Sequence, residues 1–509
     1  MQTPMTRFLT ATALTLTTVL VPLPALSQPT LSTSDMSETA SIHPRAVWLD
    51  VEQIRTDILL AQNAYEDIHP GYTRFTDKAV LDQAWANIIQ TAHEQNGMHA
   101  GEFYLAVSET LALIRCDHTK AELNEPFKAA RKTDAAYLPL SWDMVEGRAI
   151  LSRDAAGGLQ AGDEIISVDG RTIGEMADAL YKYIPFDGYN EHIRDTGIAS
   201  SSEFMGGAVD HFGSILWDVT PTAKLVIERV DGTQKEVQLD RVNYPDWLAL
   251  QATPPRLNFS DAVSLDRIGT RAAILNVDTF VNYRNPIDPY TIYDPIFETL
   301  NAEGRDQLIL DLRQNGGGSN DAANALLSYF IDSPQHLTTA ELFKTNDHSA
   351  YEHYIQTWNK QAINPPRMAF TKRADGYLSL RPSLSDSLDK INPSKLGFDG
   401  ELIILTNRTN SSGSTNIIAT LDHLRDVTLI GEKTGGNPTG ATAGTIFFLT
   451  LPESGFVLRI PVIRAEINSG DRPDGVGLVP DILAPDTVTS VRAGTDPALK
   501  AALLAFEGH

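Results

Sequence analysis

The chain has 509 residues, 42% of them apolar, enough for a sizeable core and for more than one domain at roughly 100–200 residues each. A formal net charge of −24 argues against nucleic acid and anionic lipid as partners, and no basic patch interleaved with aromatics contradicts this. Cys116 is the only cysteine, which excludes an intrachain disulfide and a small stapled extracellular module.

Residues 1–27 read as a secretory signal. Arg7 precedes an apolar run from Phe8 to Leu20, and Ala25-Leu26-Ser27 has the small-x-small pattern of a cleavage site. The run is shorter than the roughly 20 residues of a membrane span, and Pro22 and Pro24 follow it. A secreted or periplasmic protein is expected, with no membrane span once the signal is removed. Residues 28–45, rich in Ser, Thr and Pro, read as a linker.

A helical domain is expected over 46–135. Val51, Ile54, Ile58 and Leu59 recur at helical spacing, as do Leu81, Trp85, Ile88 and Ile89, and then Phe103, Val107 and Leu111. His69-Pro70-Gly71 breaks the first helix from the second. Residues 136–245 change to strand patterning. Glu164-Ile165-Ile166-Ser167-Val168 runs into an Asp169-Gly170 turn, and a second hairpin turns at Asp231-Gly232. The stretch 185–222 between them has no clear period. From 246 to 500 buried strands alternate with helices: strands at 272–277, 307–310, 402–405 and 427–430, and helices at 293–300, 322–331 and 415–424. Strands apolar on both faces suit an α/β sheet covered on each side. Residues 340–398 interrupt the order and are expected to be an insertion or lid.

Four segments carry chemistry. Asn410-Ser411-Ser412-Gly413-Ser414 lies between a buried strand and a helix, which suits either an exposed nucleophile beside free helix amides or a plain helix cap. Asp311-Leu312-Arg313-Gln314-Asn315-Gly316-Gly317-Gly318 also follows a buried strand. Its glycines let backbone N–H groups approach a developing negative charge, and it lacks the Lys-Ser/Thr of a phosphate loop. Cys116-Asp117-His118-Thr119 offers a histidine base for a serine nucleophile; the thiol beside it is read as buried. Asp474, in Arg472-Pro473-Asp474-Gly475-Val476-Gly477, offers a carboxylate to orient that histidine.

In this order the segments resemble the tail-specific (C-terminal processing) serine peptidases and their tricorn-core and interphotoreceptor retinoid-binding relatives. Asp311-Leu312-Arg313-x-Asn315-x-Gly317-Gly318 is the most specific match. Gly431-Glu432-Lys433-Thr434-x-Gly436 is another, and Gly158-Leu159-Gln160-Ala161-Gly162-Asp163 looks like part of a PDZ domain. The resemblance, over about 46–485, implies a crotonase/Clp-like α/β core with an N-terminal helical domain and a PDZ-like β-rich domain. It implies a serine-type peptidase acting on peptides or proteins, with no cofactor and no metal. The lysine of the Ser-Lys subgroup falls on Asn437 here and its carboxylate partner on His423, so that dyad is missing; Lys433 is out of register. The tricorn-like assignment is Ser412 as nucleophile, His118 as general base and Asp474, one methylene shorter than the usual Glu, as carboxylate, with Glu466 in reserve. Amides of Gly317 or Gly318 and of Gly413 would hold the oxyanion. A non-catalytic ligand- or peptide-binding relative and an esterase using the same residues remain alternatives.

Overall fold

The computed structural model describes residues 43–199, 204–251 and 257–507. The expected signal and most of the expected linker lie outside them. Among the described residues no helix is long and apolar enough to cross a membrane.

Three helices open the fold: α1 (Val51–Ile68), α2 (Lys78–Gln95) and α3 (Ala100–Ala112). Asp50 and Gln53 form a reciprocal cap at the start of α1, which satisfies two otherwise orphaned amides. Ile54, Ile58, Ala61 and Tyr65 bury one stripe of α1 against Trp85 of α2 and Phe103 of α3. Next comes the PDZ-like, β-rich part, a six-stranded antiparallel sheet. Its main path runs Trp142–Val145, Arg148–Leu151, Glu164–Val168, Thr222–Glu228 and Gln234–Asp240, and the short strand Arg171–Thr172 pairs with the middle strand.

The α/β core is a six-stranded sheet. Val263–Ile268 runs antiparallel at one edge beside β1 (Ala272–Val277). β2 (Gln307–Asp311), β3 (Glu401–Thr406), β4 (Thr428–Gly431) and Ile482–Leu483 follow in parallel. Parallel strands need helical crossovers; α4 (Asn320–Ser328) leaves β2 and α5 (Ser412–Leu424) leaves β3. Side chains alternate between faces along each strand. Leu308 and Leu310 of β2 and Leu402 and Ile404 of β3 pack with Leu326, Ile417 and Ile418 of the helices. Ile309, Ile403 and Leu405 point the other way, onto Ala498, Ala502 and Phe506 of the final helix, Pro497–Glu507.

Residues 340–398 do not form a detached lid. Thr338–Phe343, Ile355–Gln356, Phe370–Lys372 and Leu378–Leu380 join the long strands Thr442–Thr450 and Val457–Ile467 in a sheet whose seventh strand is Ala121–Glu122. The two long strands alternate apolar and polar residues beneath the helical region, so Phe447, Leu449, Leu458 and Ile460 share its core.

Candidate active site

The carboxyl ends of β2 and β3 deliver two loops to one place. Asn410 fastens them. Its buried side-chain amide donates to Leu312 O, Asn315 O (3.1 Å) and Ser414 Oγ (3.1 Å), while its own carbonyl oxygen accepts from Asn407 N (2.7 Å). Ser412 then starts α5 with φ +48°, a left-handed conformation that costs a non-glycine residue and is characteristic of a serine held on a sharp strand-to-helix turn. Gly317, at φ +107°, packs directly against it: a Cβ there would lie 2.9 Å from Gly413 N and 2.9 Å from Ser412 Cβ. A Cβ on Gly318 would lie 2.2 Å from the carbonyl carbon of Phe280.

The three glycines expected to supply oxyanion donors are therefore together, but they are not equivalent. Gly317 N–H already donates to Asn315 Oδ1 at 2.8 Å. The Gly318 and Gly413 amides have no acceptor among the described residues and lie close together, since a Cβ on Gly413 would sit 3.6 Å from Gly318 N. Gly317 is a spacer, and the free pair is Gly318 with Gly413.

The Asp311-Leu312-Arg313 motif is structural. Arg313 bridges Asp311 and Asp496, and its carbonyl accepts from the Thr409 hydroxyl. Glu432 likewise pairs with Arg408. Lys433 is half-buried, which pulls its ammonium pKa down, but no contact links it to Ser412.

His118 arrives from the turn after α3. Arg115, at φ +58°, reverses the chain, and Thr119 N–H closes the turn on Cys116 O (3.0 Å). The link to the nucleophile loop is Asp117: its Oδ2 accepts from the Ser411 hydroxyl at 2.5 Å, and its Oδ1 lies against His118 Nδ1. No hydrogen bond joins Ser412 Oγ to His118 among the described residues. Burial lowers the His118 pKa, but the adjacent Asp117 carboxylate more than offsets it, and the net value lies well above the ordinary one. Asp117 goes the other way; burial raises it, while His118 and Ser411 bring it below the usual carboxylate range.

No hydrogen bond or ion pair joins Asp474 to His118 among the described residues. Its carboxylate accepts from Arg74 (2.5 and 2.9 Å), Asn437 (2.9 Å) and Thr439 (2.6 Å). Burial would raise its pKa, but these donors bring it down to about 2. Glu466 pairs with Arg373 on the seven-stranded sheet. The carboxylate in contact with the histidine is its own chain neighbour. Asn437, at the missing lysine's position, braces the loop that holds Asp474 by accepting from Gly475 N (3.1 Å). His423 is exposed on α5, and Asp422 beside it pairs with Arg472.

One residue escaped the sequence. Asp187, on a loop in the stretch without clear period, is 3% exposed and accepts from Asp117 N at 3.1 Å. Burial and the Asp117 charge push it up to about 8. Gly188 N–H donates to Arg115 O (3.0 Å), Tyr189 N–H to Gly475 O (2.8 Å), and Asn190 accepts from Gly477 N (2.8 Å). Only the Asp-Gly pair hinted at a turn there.

Residues 272–484 match the model of peptidase family S41. Among solved structures, mature CPAF complexed with lactacystin superposes with TM-score 0.62 at 17% identity, covering 89% of this chain and 97% of that one. Mature CPAF alone gives 0.61 at 16%, covering 89% and 96%. The photosystem II D1 C-terminal processing protease gives 0.41 at 17%, covering 88% and 98%. The matched segment holds β1 to β4, both glycine and serine loops and the Asp474 loop, and over this segment the chain carries a peptidase family S41 domain, that of a serine-type peptidase.

Proposed function

We propose that this chain is an exported serine peptidase that hydrolyses peptide bonds through a Ser412 acyl-enzyme, with His118 as general base and Asp117, instead of Asp474, holding the imidazole. The observation that carries the reading is the left-handed Ser412 at the start of α5, facing two amides that nothing else in the described protein uses. In this reading His118, once deprotonated, takes the Ser412 proton, Ser412 Oγ attacks the scissile carbonyl, and Gly318 and Gly413 N–H stabilise the oxyanion. His118 then protonates the leaving amine, and water releases the acid. The Ser411 hydroxyl keeps Asp117 in place. The β-rich sheet would present an edge for an extended peptide end. Export rests on the composition of residues 1–27.

The test uses a fluorophosphonate probe and, separately, lactacystin, the compound bound to CPAF in its solved complex. The expected result is labelling of wild type and not of Ser412→Ala, with peptide hydrolysis lost in Ser412→Ala and His118→Ala and kept in Lys433→Ala. Equal hydrolysis in wild type and Ser412→Ala would remove Ser412 from the mechanism. An inactive, unlabelled wild type would leave the binding-only reading standing.

A further inference from the structure

Cys116 Sγ, a carboxylate oxygen of each of Asp117 and Asp187, and a ring nitrogen of His118 all lie within 4.8 Å of one another. No other such group of three or more potential ligands occurs among the described residues. The cluster is enclosed: Cys116 and Asp187 are each 3% exposed. It is also under-satisfied. Asp187 Oδ2 is buried without a hydrogen-bond partner, while Asp117 Oδ1 and His118 Nδ1 lie against each other and the thiol lies 3.3 Å from Thr442 O. Two carboxylates and a thiol turned toward one another away from water leave a buried Asp187 oxygen that a proton or a cation would satisfy.

We propose that these four residues form a site for a thiophilic divalent cation of the Zn2+ class, and that the ion reversibly switches the peptidase off. The donor set of one thiolate, one imidazole and two carboxylates is a four-ligand zinc set. The sulfur selects zinc or cobalt over calcium and magnesium, which take oxygen ligands. The scaffold is already braced on both sides by the Arg115 turn and by the Gly188 N–H bond to Arg115 O, so little needs ordering when the ion enters. Binding releases the thiol proton, the proton that His118 Nδ1 holds toward Asp117 and any proton held between the two carboxylates, and the four ligand–metal bonds form in their place. The inhibitory step follows from the ring. Nδ1 is the nitrogen turned toward Asp117. An ion on Nδ1 fixes the remaining proton of the neutral ring on Nε2, so Nε2 has no lone pair for the Ser412 proton. It also takes Asp117 away from its orienting role. The inhibition, though not the binding, rests on the reading of His118 as base.

The experiment is a Co2+ and Zn2+ titration of the purified full chain after chelation. The expected result is one Co2+ per chain with a near-ultraviolet thiolate-to-cobalt band, displaced by Zn2+. Peptide hydrolysis should fall at least tenfold as Zn2+ fills the site and return with EDTA. Cys116→Ser should lose the band and weaken Zn2+ inhibition at least tenfold relative to its own metal-free rate; Asp187→Asn, which keeps the thiol, should keep a weakened band. No band in wild type, a band retained in Cys116→Ser, or Zn2+ bound with hydrolysis unchanged would each overturn the proposal. Ser412→Ala should bind cobalt like wild type. If that variant also hydrolysed peptide normally, the catalytic reading would fail while the ion site would still be judged by the cobalt band.

Discussion

The two sides of the site are built to different standards. On the α/β side the loops themselves are tied together: Asn410 joins the serine loop to the glycine loop, Asn315 takes the Gly317 amide, and the Gly318 and Gly413 amides, proposed above as oxyanion donors, are left free. On the side made by residues 115–118 and 187, four ionisable groups crowd together and the buried Asp187 Oδ2 lacks a partner. The first side is supported by a sheet and two helices, and the second hangs on a reversed turn and a short loop. A preorganised electrostatic half can be inherited with a fold, whereas the half carrying the proton depends on loops that differ in how they are braced.

Four substitutions test that contrast. The largest effect is expected from Asp117→Asn, with kcat for a peptide substrate falling about 1,000-fold, whereas Asp474→Asn should cost less than about tenfold because it breaks a bond to Arg74 and none to His118. The reverse order would restore Asp474 as the orienting carboxylate. On the other side, Gly318→Ala should lower kcat about 100-fold with little change in KM, since the new Cβ displaces the amide from its oxyanion position. A KM-only effect would move the oxyanion hole elsewhere. Asn410→Ala should cost about 2 kcal/mol in denaturant-unfolding stability, because it leaves buried carbonyls of Leu312 and Asn315 without their donor. A cost below about 0.5 kcal/mol would show that the loops are not held by this residue.

The smallest effect concerns the helical region. Asp57 is fully buried and accepts from Glu453 and Ser454 amides; burial outweighs those donors and its pKa is raised from 3.8 to about 6. A carboxyl whose folded pKa is raised favours the folded state while protonated, and that contribution is lost as pH rises through about 6. Asp57→Asn should therefore reduce the loss of stability between pH 5 and 7.5 by about 1.4 kcal/mol, read as the difference between the two unfolding free energies. An unchanged difference would assign the pH dependence to other groups.

The same contrast explains what could be read in the sequence. β2 and β3 are apolar on both faces and end in glycine or polar turns, so Leu308–Leu310 and Leu402–Leu405 announced a covered parallel sheet. The helices that follow start with small polar residues at their caps. The long strands at 442–467 escaped notice because their alternation was read in neither stretch, and without them 340–398 looked like an excursion. Asp187 was illegible for a different reason. Its relation to Asp117 depends on contacts of Gly188 with Arg115 and of Tyr189 with Gly475, far apart in sequence and without periodicity. His118 could be picked because of its neighbours, but that its ion-pair partner is its own neighbour Asp117 depends on reach through space, which is not visible in spacing along a chain.

Arg313 has a further consequence. One guanidinium clasps Asp311 at the end of β2 and Asp496 just before the final helix, two residues from the Asn315 that sets the glycine loop. The final helix packs on Ile309, Ile403 and Leu405, beneath the same strands. Displacing the final helix would therefore take Asp496 from Arg313 beside the glycine loop at the same time as it uncovers Ile309, Ile403 and Leu405.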